Sequence, residues 1–106
     1  MTVNTLTADH LEFVKRFVDG LEAYIMEETG SYFAMDYIDV LESGLRNEEI
    51  PYTESEKIAM IHYIQTSLEG EYGYNNVYYG SDQQDIPVDG QIKTVPCQLV
   101  VLLQKN

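Results

Sequence analysis

Cysteine is nearly absent from this chain, which carries only Cys97, and tryptophan is missing altogether. A lone cysteine excludes an intramolecular disulfide and any multi-cysteine metal site, and it fits a reducing compartment. Long apolar runs are missing too: no stretch reaches the length needed to span a bilayer, and MTVNTLTADHLEF at the N-terminus has neither a basic segment nor an uninterrupted apolar core. A soluble cytoplasmic protein is expected, in the host cytoplasm if the gene is phage-borne. Basic residues are scarce. Lys15, Arg16, Arg46, Lys57, Lys93 and Lys105 are scattered along the chain, which argues against direct contact with DNA, RNA or an anionic membrane. Phosphate-cradling and hydrolase motifs of the G-x-x-x-x-G-K-[ST], G-x-G-x-x-G and G-x-S-x-G types do not occur.

What is present is acid. Eighteen Asp and Glu give a formal net charge of −12 over 106 residues, while 44% hydrophobic content supports a folded core rather than a disordered acidic tail. One domain, 1–106, is expected. A monomer of this mass exposes roughly 6,000 Å², so an even spread would give about one net charge per 500 Å². That is far sparser than duplex DNA, with its charge every ~1.7 Å of axis. The acids would have to be segregated onto one face to imitate a nucleic acid.

Leu11, Val14, Val18, Leu21 and Ile25 recur at helical steps, with Thr7 as N-cap and Gly30 as the αL residue that ends the helix, which predicts a helix over 8–28. Ser31 can cap a second helix over 32–43, with Ala34, Ile38, Leu41 and Leu45 inward and Gly44 marking its end. Thr53-Glu-Ser-Glu56 is a capping box that opens a third over 54–69, whose buried stripe is read as Ile58, Ile61, Ile64 or Gln65, and Leu68, closed by Gly70. A Tyr-rich loop is expected over 70–85, with room for a short strand at Asn76 to Tyr79. Asp89-Gly90 then suits a type I′ turn between strands 86–88 and 91–95, and CQLVVLL reads as a covered strand over 97–103. The fold class is α+β: three amphipathic helices, then a small C-terminal antiparallel sheet made of a hairpin and one apolar strand.

Candidate catalytic chemistry is thin. His10 and His62 lack any partner at metal spacing and read as surface or core-edge residues, and Cys97 opens an apolar run as a small buried residue would. Asp82, Asp85 and Asp89 do not follow the ligand order of an EF-hand. No enzyme activity, metal or cofactor is expected.

Two patterns point elsewhere. Asp36, Asp39 and Glu42 repeat every three residues, a line of like charges that is either a solvated outer face or a surface that docks into a basic groove. There are also nine tyrosines. Tyr24 and Tyr63 fit core-facing helical positions, whereas Tyr72, Tyr74, Tyr78 and Tyr79 share a segment with Glu71, Asp82 and Asp85. Aromatics among carboxylates either cover the sheet or suit an Arg-rich partner through stacking and ion pairing. Val77-Tyr-Tyr-Gly-Ser-Asp-Gln-Gln-Asp85, followed by Pro87 and Gly90, resembles the Tyr-Tyr-Pro-Ser-Asp region of the colicin DNase immunity proteins, acidic helical inhibitors that bind beside a nuclease active site. That likeness implies a binding role for Tyr78, Tyr79 and Asp82. Gly80 replaces the family's proline, and strands are expected after Gly90 where that family has a helix.

The function expected from these patterns is a non-enzymatic acidic inhibitor of the DNA- or RNA-mimic type, such as an anti-restriction or anti-CRISPR phage protein. Its binding residues would be Asp36, Asp39, Glu42, Tyr78, Tyr79, Asp82 and Asp85, set against a basic partner such as a nucleic-acid-binding protein or nuclease. Self-association as a homodimer is left open. The alternative is an immunity-like, antitoxin-like or adaptor protein that binds a specific partner outside any nucleic-acid groove.

Overall fold

A computed structural model describes residues 6–103. Helix α1, Ala8–Glu27, begins at a capping box in which Thr7 Oγ1 accepts from the His10 N–H at 3.2 Å. The imidazole supplies the reciprocal bond: Nδ1 accepts from the Thr7 N–H at 3.2 Å, while Nε2 donates to the Pro51 carbonyl at 2.9 Å. His10 is buried, so it serves as a helix cap and a clamp on the connector, residues 48–53, between the second and third helices. Phe13, Val14, Val18, Leu21 and Ile25 form the inward stripe of α1.

The expected second helix is corrected at its start. Residues Tyr32–Met35 form strand β1, and helix α2 follows at Tyr37–Asn47. Ser31 therefore caps nothing, Ala34 lies on a strand, and Gly44 sits inside α2 instead of ending it. Gly30 is not among the positive-φ glycines, and α1 ends at Glu28 with extended backbone. The physical reason is a partner remote in sequence: Tyr32, Phe33, Ala34 and Met35 pair antiparallel with Leu102, Val101, Val100 and Leu99, and aromatic side chains suit that half-buried pleat. Gly44 has a packing role, since a Cβ there would lie 2.7 Å from Phe13 Cζ.

Helix α3, Glu54–Thr66, opens on the expected capping box between Thr53 and Glu56 and runs on into a π-helical turn, Ser67–Glu71. The Tyr72 N–H reaches back five residues to the Ser67 carbonyl at 3.0 Å. Its buried line is Met60, Ile64 and Leu68, and Ile58 is exposed, a correction to the expected stripe. Ile58, Met60, Ile61, Tyr63 and Ile64 surround most of the circumference, so periodicity alone does not select a face. Tyr24 is likewise corrected: its side chain is exposed, whereas Tyr63 packs against the core.

The expected Tyr-rich loop, 70–85, begins in the π turn and holds strand β2, Val77–Tyr79, where a short strand at 76–79 is expected, while strand β3 starts earlier than expected, at Gln84–Val88. Strand β4, Gln91–Val95, joins it through Asp89 at φ 53° and Gly90 at φ 78°, as the type I′ turn requires. Strand β5, Leu99–Leu102, is shorter than 97–103 because Cys97 and Gln98 form a bend in which the Cys97 carbonyl accepts from Gln84 and Gln98 caps α2.

Three helices and five strands thus make a mixed α+β fold with two antiparallel sheets, ordered β1-β5-β2 and β3-β4. Alternation along the strands sorts the two cores. Phe33, Leu99 and Val101 face the helices, with Leu41, Leu45, Met60 and Ile64, whereas Val100 meets Ile86 and Val95 of the hairpin, with Tyr32, Ala34 and Tyr78 around them. Among the described residues no helix is long and apolar enough to cross a membrane.

The start of α2 is capped from a distance. Asp36, its N-cap residue, makes no side-chain cap bond. Gln98 Oε1 accepts from the Ile38 N–H at 2.9 Å and the Asp39 N–H at 3.4 Å, and Asp36 Oδ1 accepts in return from the Gln98 N–H at 2.9 Å. Buried Gln84 donates from Nε2 to the carbonyls of Ser81, Cys97 and Gln98, fixing the β2–β3 turn against the same segment. Replacing Gln98 by Ala is expected to cost about 1 kcal/mol, the typical loss of an N-cap, measured by urea unfolding. Gly44→Ala is expected to lower stability despite the better helix propensity of Ala, because displacing a packed ring costs about 1–3 kcal/mol and propensity returns at most ~1. A more stable Gly44→Ala protein would refute the Phe13 contact.

Candidate acidic interaction surface

Tyrosine hydroxyls, more than cations, are the partners of carboxylates here. Tyr52 donates to Glu42 at 2.8 Å, Tyr72 to Asp19 at 2.7 Å, Tyr74 to Glu22 at 3.4 Å and Tyr79 to Glu69 at 3.4 Å. A phenol orients a carboxylate and leaves its negative charge in place, whereas an ammonium cancels it. The π turn makes this possible for Tyr72 and Tyr74. Its wider spacing turns the chain after Gly70 across α1, and the Tyr74 N–H closes on the Leu68 carbonyl at 2.9 Å.

Asp19 and Glu22 from α1 and Glu71 from the π turn therefore gather around Tyr72 and Tyr74, while Glu69 of the π turn is paired with Tyr79. The Tyr72 hydroxyl is pushed up to about 12, first by its bond to Asp19 and then by burial and the charges of Asp19, Glu71 and Glu22. Burial and the Glu22 charge raise Tyr74, and burial and the Glu69 charge raise Tyr79. No Lys or Arg occurs in residues 17–45 or 58–92, the two stretches that build this surface. Lys15, one turn before Asp19, makes no ion pair among the described residues.

Cations are concentrated at the connector. Arg16 binds Glu48 through two bonds at 2.9 and 3.1 Å, and Lys57 lies 3.4 Å from Glu42 and 3.5 Å from Glu54. The bond from Tyr52, followed by those from Lys57, holds the Glu42 carboxyl below its usual range, and Arg46 one turn on adds to this. The acid line of α2 is thus relieved at Glu42 and structurally occupied at Asp36, while Asp39 is exposed with no side-chain bond among the described residues.

The sequence-derived residues are partly brought together. Asp36, through Gln98 and Gln84, is connected to Ser81, and a depression of about 250 Å³ lies between Tyr37 and Ile38 at the start of α2 and Gly80, Ser81 and Asp82. Asp82 lines this depression, and Asp39 is tied to it only through its backbone N–H on Gln98, with Tyr79 leading into the turn. Glu42 lies further along α2 against Tyr52 and Lys57. Tyr78 faces the hairpin core, and Asp85 accepts from Thr94 Oγ1 at 2.7 Å on the hairpin. Cys97 is half-buried, and burial together with Asp36 pushes its thiol up, away from nucleophilic use. No group of three or more His, Cys, Asp and Glu that could hold a metal ion occurs among the described residues.

The acids of α1 and the π turn escaped the sequence-based choice because they lie some fifty positions apart, as the 53-residue separation of Tyr72 and Asp19 shows. The two long stretches without Lys or Arg were the available signal.

No family model matches this chain, and neither a curated protein nor a solved structure matches it. The likeness of residues 77–90 to the immunity proteins stays local, since strands β4 and β5 follow Gly90.

The raised Tyr72 hydroxyl gives a signed expectation. Its protonated form is favoured by folding, so the stabilisation is complete below the ordinary tyrosine value near 10 and is lost as pH rises toward about 12. Asp19→Asn is expected to return the Tyr72 titration toward the ordinary value, read from tyrosinate absorbance against a Tyr72→Phe control; an unchanged titration would exclude the Asp19 bond as its cause.

Proposed function

We propose that this protein is a non-enzymatic inhibitor that presents an acidic, tyrosine-laced surface to a basic, nucleic-acid-binding surface on a target protein. The observation that carries this reading is the fixing of Asp19, Glu22 and Glu69 by tyrosine hydroxyls rather than by cations. Anions held in place yet not neutralised can take the positions of phosphates without losing side-chain freedom on binding. They also speed encounter with a basic groove by long-range attraction. The accessible surface is 6525 Å², so −12 spread evenly would remain far below the charge density of a duplex; segregation of acids from the connector's cations is what favours mimicry. Asp39 on α2 and Asp82 at the depression, both exposed, extend the same reading toward the residues singled out from the sequence.

Such a protein competes with DNA or RNA for its target, and the complex weakens steeply with salt. The test is affinity capture at low salt from the native host, followed by competition with duplex DNA and RNA. Asp19→Lys, Glu22→Lys, Glu69→Lys and Glu71→Lys combined is expected to weaken binding by more than about tenfold, as loss of several charge contacts does. Asp39→Lys with Asp82→Lys is expected to weaken it less. A partner that holds nucleic acid and this protein simultaneously would instead establish an adaptor, and equal affinity of the charge-reversed protein would remove this surface from the interface.

A further inference from the structure

Resting on the acidic-surface reading, we propose that the depression between α2, α3 and the β2–β3 turn is a socket for one arginine side chain of the basic partner. It is lined by Ile38 and Ile61, both half-buried, and by Tyr37, whose hydroxyl accepts from Gln65 Nε2 at 2.9 Å. That bond spends a donor of the Gln65 amide and leaves its carbonyl oxygen as an acceptor. At the rim stands Asp82, exposed and with no hydrogen bond or ion pair among the described residues. Gln98, which also lines the space, is held by the backbone of α2.

This lining combines the apolar side chains of Ile38 and Ile61 with the acceptor oxygens of Asp82 and Gln65, and no Lys, Arg or His contributes to it. Lys57, one turn before Ile61, is committed to Glu42 and Glu54. A complementary occupant has an aliphatic stem and a head that only donates, which describes a basic side chain. Arginine fits better than lysine: its planar head is less strongly hydrated, and its forked donors can bridge a carboxylate and a neighbouring amide oxygen, here Asp82 and Gln65. At about 250 Å³ the space is smaller than the roughly 300–1,000 Å³ of small-molecule sites, on the scale of a single side chain. A buried arginine anchor ringed by weaker contacts is also a common hot-spot arrangement in protein interfaces.

The probe is the capped tripeptide acetyl-Gly-Arg-Gly-amide, titrated at low salt into isotopically labelled full-length protein and followed by amide NMR, with citrulline and lysine versions alongside. The expected result is saturable movement of the Gly80, Ser81 and Asp82 amides and of the Gln65 side-chain amide. The citrulline peptide is expected to leave them still, and the lysine peptide to bind more weakly. Asp82→Asn, at an exposed position without a bond to lose, is expected to weaken the arginine peptide by about fivefold, the effect of discharging one charge-assisted contact. The proposal is overturned if the peptide shifts only residues near Asp19, Glu22 and Glu71, if Asp82→Asn has no effect, or if lysine binds as tightly. Each of those results leaves the acidic-surface reading intact, since that reading fails only in the capture and competition experiment.

Discussion

The structure depends on one strand. Leu99–Leu102 enters last in the sequence and lies between β1 and β2, with paired neighbours along both edges. Leu99 and Val101 close the helical core, while Val100 closes the hairpin core, and all three are fully buried. Fully burying such side chains contributes roughly 1.5–3 kcal/mol each, and here a single short strand serves two cores at once. The helices have no sheet to pack on until this strand is in place, and the hairpin has no underside to cover. The bend just before the strand is equally constrained: Gln98 must cap α2 while its own N–H satisfies Asp36 and its carbonyl receives Gln84.

A second constraint is electrostatic. With six basic residues for eighteen acids, most carboxylates cannot find a cation, and crowding them onto one small domain opposes folding. The chain meets this with phenols. Four tyrosines donate to Glu42, Asp19, Glu22 and Glu69, and three of these bonds tie residues of the segment after α3 to α1 or to the π turn. The tyrosines thus do two things: their rings complete the edge of the core, and their hydroxyls satisfy surface acids. Arg16 and Lys57 hold Glu42, Glu48 and Glu54, leaving Asp19, Glu22 and Glu69 to the tyrosines.

This division connects fold to proposed function. An acidic protein that merely needed solubility could let its carboxylates move freely, and its surface would be equally soluble. Holding them by neutral donors suits recognition, because rigid charges lose less freedom on contact. The depression beside Asp82 adds shape to charge, and shape is what allows one basic partner to be preferred over another.

Much of the local structure was legible in the chain. The Thr7 and Thr53 caps, the inward stripe of α1, the Asp89-Gly90 turn and the covered apolar strand all follow from short-range rules, since each is decided by neighbours within a turn or two. The helix expected at 32–43 failed at its first five residues: strand pairing with Leu99–Leu102 outweighed the local helical pattern over four of them, and the fifth, Asp36, is the N-cap. The buried face of α3 was ambiguous because apolar residues surround it. At the level of surface charge, composition by itself determined that the protein is strongly acidic. Only the tertiary structure decided which acids stand together, because Asp19 meets Tyr72, and Asp36 meets Gln98, across more than fifty residues of chain, and no local pattern encodes a contact at that range.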